Sequence, residues 1–450
     1  MATRFQYRAF RQTPREWSEW TDFVSAALRS DTKFRLPLVM LGILLAHGRR
    51  TVSSWLRAAG LSKHYEDYYY FISSVGRKAD VLAARVLELL VQRLPPCDRI
   101  VLAVDDTPTS RYGPEVEGAG LHHNPTSGPD DHKFIYGHVW VTLAWVVRHP
   151  SWGTIGLPLL ARLYVKAKDL PELIAKRGPW PFRTKLQLAA ELVEWAIERL
   201  KFLGCGIWIV ADGAYAYRSL LRRILPLGVV FVSRLRKDAG LRSLPPVRKP
   251  GQRGGRRKYG TEKFSLTKRA AHRHGWEHIE VTMYGKTIVK TCKSFLATWP
   301  VVGGVIRVVI VRKSQGWDAF FCTDPQASVR QILECFSDRG ALEQVFHDVK
   351  EIWGTGQQQV RNVWSNIGSF VLNLWMHTLI ELWAWNRPGA ELRDRRLSPW
   401  DSTERRPSHA DRRKALRLAC LSHEFTSLAH QNPMPQEMAE LFGSLALLAA

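Results

Sequence analysis

The stretch Ile100-Val-Leu-Ala-Val-Asp-Asp-Thr107 is a short apolar run that leads directly into two aspartates. Such a run is typical of a strand buried on both faces of a sheet. The run Ile207-Trp-Ile-Val-Ala211 has the same character and is followed at once by Asp212. In open sheets, functional groups gather where strands end. We therefore expect the aspartates of these two strands to lie close together.

The segments around these two strands predict the order of a ribonuclease-H-like sheet. Two apolar runs, His138 to Val147 and Ile155 to Val165, lie between them. A helix follows with an apolar face from Leu188 to Leu200, and a short helix and the strand Val229 to Val232 come after Asp212. Three strands in a meander, followed by alternating helix and strand, is the ribonuclease-H-like order. The predicted fold class is α/β, with a mixed-sheet core of this type.

The net charge indicates a polyanionic partner. Lys and Arg number 65 against 41 Asp and Glu, which gives a formal charge of +24. Residues 234–273 alone hold fourteen Lys and Arg, including Arg256, Arg257 and Lys258, against Asp238 and Glu262. A basic surplus of this size usually serves nucleic acid, because neutralised phosphates release counterions. A ribosome-associated or merely basic protein is the alternative, and the basic stretch itself could be a solvated linker.

Patterning along the chain predicts five segments. Alternating strand patterns from Ile279 to Arg312 indicate a β-rich insertion, and a long helix is predicted from about Ser328 to Trp353. The segments are an all-α DNA-binding domain (1–95), the first part of the core (96–235), a basic β-rich insertion (236–325), the rest of the core with a second apolar helix (326–386), and an Arg-rich connector with a helical tail (387–450). In the last segment the polar connector is predicted for residues 387–417 and the helical tail from Leu418.

The N-terminal region contains a possible helix-turn-helix. A helix after Thr51 is followed by a turn at Gly60 and a second helix that Ser62 could cap. Lys63 and His64 then fall early on the second helix, where contacts to bases or phosphates are made in such motifs. A plain helical hairpin fits the same pattern.

Other classes of site are not indicated. The six cysteines include no Cys-x-x-Cys pair, which argues against both a disulfide framework and a zinc site. The pairs His122-His123 and His272-Arg-His274 lack the spacing of a metal motif.

The longest apolar run, Leu36 to Ala46, is too short to span a bilayer. We expect a soluble intracellular protein.

The predicted long helix carries one chemically unusual stripe. It reads Phe336-Ser-Asp-Arg339-Gly-Ala-Leu-Glu343-Gln-Val-Phe-His-Asp-Val-Lys350. Helical spacing places Phe336, Arg339, Glu343 and Lys350 nearly in line. The carboxylate could bind a metal ion while the two cations hold flanking phosphates. An ordinary Arg–Glu surface pair is the alternative.

This stripe is similar to the Y-(2)-R-(3)-E-(6)-K signature of the hairpin-forming insertion-sequence transposases, which are of the DDE type, and the spacing matches throughout. The resemblance covers roughly residues 48–385, and this family also has a β-rich insertion before its signature helix. The other segments that resemble the family are Arg50-Thr-Val52, Val104-Asp-Asp-Thr107, Val210-Ala-Asp-Gly213, Cys322-Thr-Asp-Pro325 and Gly354-Thr-Gly-Gln-Gln-Gln-Val-Arg361.

The resemblance implies a catalytic and metal-binding triad of Asp106, Asp212 and Glu343, with two Mg²⁺ ions for which Mn²⁺ could substitute. Hard divalent cations of this kind prefer carboxylate oxygens from separate elements. Asp106 is preferred over Asp105 because the family has its aspartate directly before threonine, and adjacent strand residues point to opposite faces.

The resemblance also implies a set of DNA contacts. Arg339 and Lys350 would contact the transposon end, and Phe336 replaces the usual Tyr, which keeps the ring but loses the hydroxyl. Trp317 is a candidate for stacking on a flipped base, in competition with Phe320 and Phe321. The complete set of expected DNA-binding residues is Arg339, Lys350, Phe336, Trp317, Arg256, Arg257, Lys258 and Lys63.

The function implied is cut-and-paste DNA transposition. A homodimer would bind terminal inverted repeats, cleave them, and join the freed ends to target DNA in the cytoplasm of a bacterial-type cell, at the nucleoid. Two alternatives remain: a catalytically inactive or domesticated DNA-binding protein, and a host metal-dependent nuclease built on the same core.

Overall fold

The computed structural model describes the chain from residue 13 to residue 431 with short gaps, and isolated positions beyond it. The described residues are 13–61, 63–124, 133–247, 255, 257–395, 399–431, 435, 436, 438, 443, 445, 446 and 449.

The described part of residues 13–95 is helical, as predicted. Its apolar side chains belong to the same hydrophobic core as the rest of the chain. The helices are α1 (Arg15–Ser25), α2 (Arg35–Leu45), α3 (Val52–Ala58), α4 (Tyr65–Arg77) and α5 (Ala79–Arg93).

The central sheet confirms the predicted ribonuclease-H-like order. Its strands run in the order β4-β3-β1-β5-β6, with β3 antiparallel to both of its neighbours β4 and β1, and with β5 and β6 parallel to β1. The short strand β2 adds to the outer part of β3. The elements of this region are β1 (Arg99–Ser110), β2 (Gly120–His123), β3 (Phe134–His149), β4 (Gly153–Tyr164), α6 (Leu170–Arg177), α7 (Lys185–Leu200), β5 (Gly206–Ala211), α8 (Arg218–Ile224) and β6 (Val230–Leu235).

The β-rich region extends this same sheet. Its last strand, β12, pairs antiparallel with β6, so the core and the inserted strands form one continuous sheet. The elements are β7 (Leu241–Arg242), β8 (Lys263–Phe264), α9 (Leu266–Ala271), β9 (Glu277–Met283), β10 (Lys286–Trp299), β11 (Gly304–Arg312) and β12 (Trp317–Cys322).

The prediction of a single long helix from Ser328 to Trp353 is wrong in one respect, because the helix is interrupted at Arg339. The two parts are α10 (Val329–Asp338) and α11 (Gly340–Glu351). The turn between β9 and β10 packs on the break: the backbone N–H of Tyr284 donates to Ser337 Oγ at 3.1 Å. The Tyr284 ring also lies 3.3 Å from where a Cβ on Gly340 would stand. The inserted strands are thus fastened to the break between the two helices.

The C-terminal part also differs from the prediction of a polar connector up to residue 417. After α12 (Val363–Ala384) and the short α13 (Gly389–Leu392), the helix α14 (His409–Gln431) begins within the predicted connector. It is helical there because Arg412, Arg413 and Arg417 are buried against the core. In the described part of the chain, no helix is both long and apolar enough to cross a membrane.

Helices α4 and α12 cross at very close range through two glycines. A Cβ placed on Gly76 would lie 1.9 Å from the Trp364 carbonyl oxygen, and one on Gly368 would lie 2.1 Å from the Ile72 carbonyl oxygen. Neither contact can be relieved by rotating a side chain, because both involve backbone. The glycines therefore set the distance between the N-terminal helices and the core.

Replacing Gly76 by alanine is expected to destabilise the protein by about 1–3 kcal/mol, as overpacking does. The effect should outweigh the helix propensity that alanine gains over glycine, about 1 kcal/mol. Thermal or urea unfolding measures it. Gly206→Ala is a matched control, because nothing lies within 4 Å of its added Cβ. Equal unfolding free energies for Gly76→Ala and wild type would contradict the close crossing.

Candidate active site

Asp105 and Asp212 are neighbours on one face of the sheet. The parallel register of β1 and β5 pairs Val104 with Ala211, so Asp105 stands opposite Asp212 one step further along. Side chains directly opposite each other on neighbouring strands point to the same face. The predicted meeting of aspartates from these two strands is therefore present, although β1 continues to Ser110 instead of ending at the aspartates.

Asp106 points to the opposite face, where its carboxylate is engaged by two side chains. Lys185 Nζ lies 2.6 Å from Asp106 Oδ2, and the Tyr215 hydroxyl donates to Asp106 Oδ1 at 2.8 Å. Burial, followed by the charge of Asp106, raises the pKa of Tyr215 well above its usual value, so the phenol keeps its proton and acts as a donor. Neither Lys185 nor Tyr215 had been singled out from the sequence.

Arg339 joins Asp105 to Glu343. Its Nη1 donates to Asp105 Oδ2 at 2.6 Å, and its Nη2 donates to Glu343 Oε1 at 2.6 Å. Burial raises the pKa of Asp105 to about 6, against the opposing effect of Arg339. The nearby charge of Asp106, followed by that of Asp212, adds to this increase. Arg339 thus links Glu343 to Asp105 and not to the predicted Asp106, and Asp212 lies near Asp105.

Arg339 lies at the junction of α10 and α11, between these carboxylates. Arg339 itself keeps right-handed helical backbone angles, so Glu343 still lies one turn away and within reach. The guanidinium carbon stands 5.4 Å from the centre of the Phe336 ring, and the side chain is 14% exposed. Glu343, in contrast, is 58% exposed. A buried cation therefore holds one buried and one accessible carboxylate.

The expected aromatic and cationic DNA contacts differ in accessibility. Phe336 is partly buried and packs on Phe320, with ring centres 4.8 Å apart. Phe320 and Phe321 are themselves buried, so of the three stacking candidates Trp317 has the most accessible ring. Lys237 Nζ lies 5.0 Å from the Trp317 ring centre. Lys350 on α11 is partly buried, and burial lowers its pKa.

Three of the basic residues expected to contact DNA are exposed. Arg257 and Lys258 are exposed, and Arg256 lies outside the described residues. Lys63 is exposed just before α4, whereas the predicted cap Ser62 lies outside the described residues. The first turn of α4 carries Glu66 and Asp67, which would repel phosphates, so the geometry gives the predicted recognition helix no support.

Two segments that lie far apart in sequence, one at Arg50 and one at Gln357, meet where the loop after α11 packs on the N-terminal helices. The backbone N–H of Arg50 donates to Gln357 Oε1 at 2.9 Å, and Gln358 Nε2 donates to the Arg50 carbonyl at 3.3 Å. The Val52 N–H reaches the Gln358 carbonyl at 3.4 Å. The loop that follows α11 is therefore fastened to the N-terminal helices, which the sequence alone did not indicate.

A buried cluster of Asp348, His377 and His409 has ligand-type atoms within 4.8 Å of one another, and within the described ranges no other set of three does. Its geometry does not suit a cation. The two imidazoles stack with centres 4.0 Å apart, so their in-plane lone pairs do not converge. Both nitrogens of His409 are engaged, one by Glu381 at 2.6 Å and the other by Trp353 at 3.0 Å. We interpret the cluster as a hydrogen-bonded core network.

The other histidine pairs are also accounted for. His122 is buried, with its ring 6.1 Å from that of Tyr164, and burial lowers its pKa to about 4. His272 and His274 are exposed, 5.6 Å apart between ring centres, on the rim of a basic cavity in the β-rich region.

Comparison with known families identifies the superfamily of the chain. Residues 22–292, more than half of the chain, match the family described as DDE superfamily endonuclease. The match includes both strand aspartates and ends before Glu343. No curated protein is similar enough to be reported as a relative. The chain belongs to the DDE superfamily of endonucleases, and its ribonuclease-H-like core is that of a DDE transposase-type protein.

Proposed function

We propose that this protein is the transposase of an insertion sequence, which binds the terminal inverted repeats of its element, cleaves the DNA strands there and joins them to target DNA. The observation that carries the proposal is the chain of contacts Asp105–Arg339–Glu343, with Asp212 beside Asp105 on the same face. Three carboxylates from two strands and a helix, set beside a cation, are what strand cleavage in this superfamily requires.

The catalytic triad is Asp105, Asp212 and Glu343, in place of the expected Asp106. Asp106 belongs to the face of Lys185 and Tyr215, which already neutralise and orient it. Its role is to position β1 and α7, whereas Asp105 contacts the same guanidinium as Glu343.

The chemistry of the three carboxylates suits divalent magnesium, while their oxygens do not all lie within 4.8 Å of one another in this structure. All three groups offer hard carboxylate oxygens, which Mg²⁺ prefers, and Mn²⁺ would be accepted by the same ligands. Two such ions would activate the attacking water or 3′-hydroxyl and neutralise the leaving oxygen. Arg339 forms ion pairs with both Asp105 and Glu343. With metal ions held by these carboxylates, its guanidinium would be free to hold a DNA phosphate in bidentate fashion.

The remaining DNA contacts follow from accessibility and charge. Trp317 is the candidate for base stacking, with Lys237 beside it for a phosphate. Arg257 and Lys258 are exposed on the basic insertion, as is Lys63 in the N-terminal region. Phe336 acts by orienting Arg339, and Lys350 lies further along the same helix as Glu343. We expect a homodimer in the complex with DNA.

The test is strand cleavage of a duplex that carries the inverted repeat flanking the gene, with Mg²⁺ or with a chelator. We expect cuts at the end of the repeat that need the metal, and joined products when target DNA is added. A host nuclease would cut without preference for the repeat, and an inactive DNA-binding protein would bind the repeat without cutting. Either result would contradict the proposal.

A further inference from the structure

A small cavity at the far end of β1 is lined by arginines. Its volume is about 290 Å³, and it lies between the end of β1 and the loop that follows α11. Arg49, Arg111 and Arg361 line it, and Glu115 is its one acidic lining residue. The Glu115 carboxylate is 66% exposed and lies 3.9 Å from Lys176, so it does not neutralise the three arginines.

Arg111 is the unusual member of this group, because it is buried without an anionic partner. Only 5% of the residue is exposed. Its Nη1 donates to the Gly356 carbonyl at 2.7 Å, while Nη2 has no hydrogen-bond partner among the described residues. No carboxylate of the described chain lies within 4.0 Å of it. Buried charges are normally paired, so an unpaired guanidinium beside a cavity points to an external anion.

The orientation of Arg111 is fixed by a neutral histidine. Arg111 Nε donates to His138 Nδ1 at 3.1 Å, which requires that nitrogen to be an unprotonated acceptor. His138 Nε2 therefore carries the hydrogen and donates to the Glu117 carbonyl at 2.9 Å. Burial, reinforced by the charge of Arg111, lowers the pKa of His138 to about 3. The imidazole thus orients the guanidinium without neutralising it.

Two exposed arginines complete the cavity. Arg49 and Arg361 are exposed at its rim, one from the turn before α3 and the other just before α12. Gln359, also in the lining, has a left-handed backbone with φ of 53°, which non-glycine residues rarely adopt. The cavity therefore combines an oriented buried cation with two accessible ones.

We propose that this cavity binds a backbone phosphate of the DNA substrate, at a position remote from the cleaved bond. The inference rests on the proposed function, since it assigns a second contact to the same substrate. Asp105 and Arg111 are six residues apart in extended chain, roughly 20 Å. Arg111 still pairs with β3 through its N–H to the Tyr136 carbonyl at 2.9 Å. For a duplex lying along β1, the phosphate is about six base pairs from the cut.

The salt dependence of DNA binding tests the proposal. Arg361→Gln and Arg49→Gln remove exposed cations, so folding should be unaffected, and each lost phosphate contact should reduce the slope of log K against log salt by about 0.9. Lys201→Gln is the control, because Lys201 is exposed near the start of β5, at the end of the strand opposite to Asp212. Equal slopes for Arg361→Gln, Arg49→Gln and the control would overturn the inference.

A methylphosphonate scan of the duplex locates the phosphate. Neutralising one phosphate, about six base pairs from the cut, should weaken binding by wild type but not by Arg361→Gln. The absence of any position with this coupling would contradict the DNA assignment. Failure of wild type to bind or cut the duplex at all would instead count against the proposed function.

A binding experiment with inorganic phosphate distinguishes a cavity that contacts DNA from one that binds a free anion. At millimolar concentration the phosphate should raise the melting temperature of wild type only slightly, and compete weakly with DNA. Tight binding of inorganic phosphate that disappears in Arg361→Gln, together with an unchanged salt slope for DNA, would assign the cavity to a free anion and overturn the proposal.

Discussion

Replacing Asp105 by asparagine is expected to reduce strand cleavage at least about a thousandfold, since a metal-binding carboxylate supports several kcal/mol of transition-state stabilisation. Asp105 shares a guanidinium with Glu343 and faces the same side as Asp212. Asparagine keeps the size of the side chain and removes its charge. The measurement is single-turnover cleavage of the end-containing duplex with saturating Mg²⁺.

Asp106→Asn is the matched comparison, one residue away on the same strand. An asparagine oxygen can still accept hydrogen bonds from Lys185 and Tyr215, which hold Asp106 at 2.6 and 2.8 Å. We therefore expect the cleavage rate of Asp106→Asn to fall by no more than about a hundredfold, as is typical when a residue that supports the metal ligands is changed. Asp212→Asn and Glu343→Gln should match Asp105→Asn, and all variants should still bind the duplex.

A larger loss of cleavage in Asp106→Asn than in Asp105→Asn would contradict the proposed triad. If Asp106→Asn abolished cleavage while Asp105→Asn retained it, the face of β1 that carries Lys185 would be the catalytic one. The grouping of Asp105 with Glu343 would then describe only the metal-free protein. Circular dichroism of both variants separates either outcome from a loss of fold.

The sequence predicts the strand order, whereas the face on which each of the two adjacent aspartates lies depends on strand pairing. Apolar runs predicted β1, β3, β4, β5 and β6 in their observed order, because burial on both faces leaves a plain hydrophobic signature. Which aspartate faces Asp212 depends on the register between β1 and β5, with Val104 opposite Ala211. Two strands that are buried on both faces show no alternation of polar and apolar residues, so their sequences do not reveal the register between them.

The local sequence pattern also did not predict the interruption between α10 and α11. The stripe from Phe336 to Lys350 predicts one helix, because its residues have helical spacing throughout. The break at Arg339 depends on the Tyr284 turn from a distant hairpin. Similarly, the Arg-rich start of α14 resembles a solvated connector, and only its buried partners explain why it is helical. Tertiary contacts overrode local preference in both places.

Glu381→Gln is expected to destabilise the protein by about 3–5 kcal/mol, because it leaves a buried charge uncompensated. Glu381 is 1% exposed and accepts hydrogen bonds from Arg412 at 2.6 Å and His409 at 2.6 Å. Arg412 and His409 lie on α14, so this carboxylate fastens the last helix to α12. Arg412 and the hydrogen bond from His409 hold the pKa of Glu381 far below its usual range, against the opposing effect of burial.

Urea unfolding of Glu381→Gln measures this effect, with Glu198→Gln as the control. Glu198 is 70% exposed and pairs only with its neighbour Arg199 among the described residues, so its loss should change stability by no more than about 0.5 kcal/mol. The double variant Glu381→Gln with Arg412→Met should be destabilised by less than the sum of the two single changes, since both charges are then absent. Full additivity would mean that the pair is not coupled.

The same network reaches the catalytic helix, which links this stability prediction to the active site. Asp348 lies on α11, five residues beyond Glu343, and its carboxylate is 3.5 Å from His377 on α12. His377 in turn stacks on His409. Loosening α14 should therefore lower cleavage near the melting temperature and leave it almost unchanged well below. A uniform loss of cleavage at all temperatures would instead place Glu381 in the chemistry, which its burial behind α11 argues against.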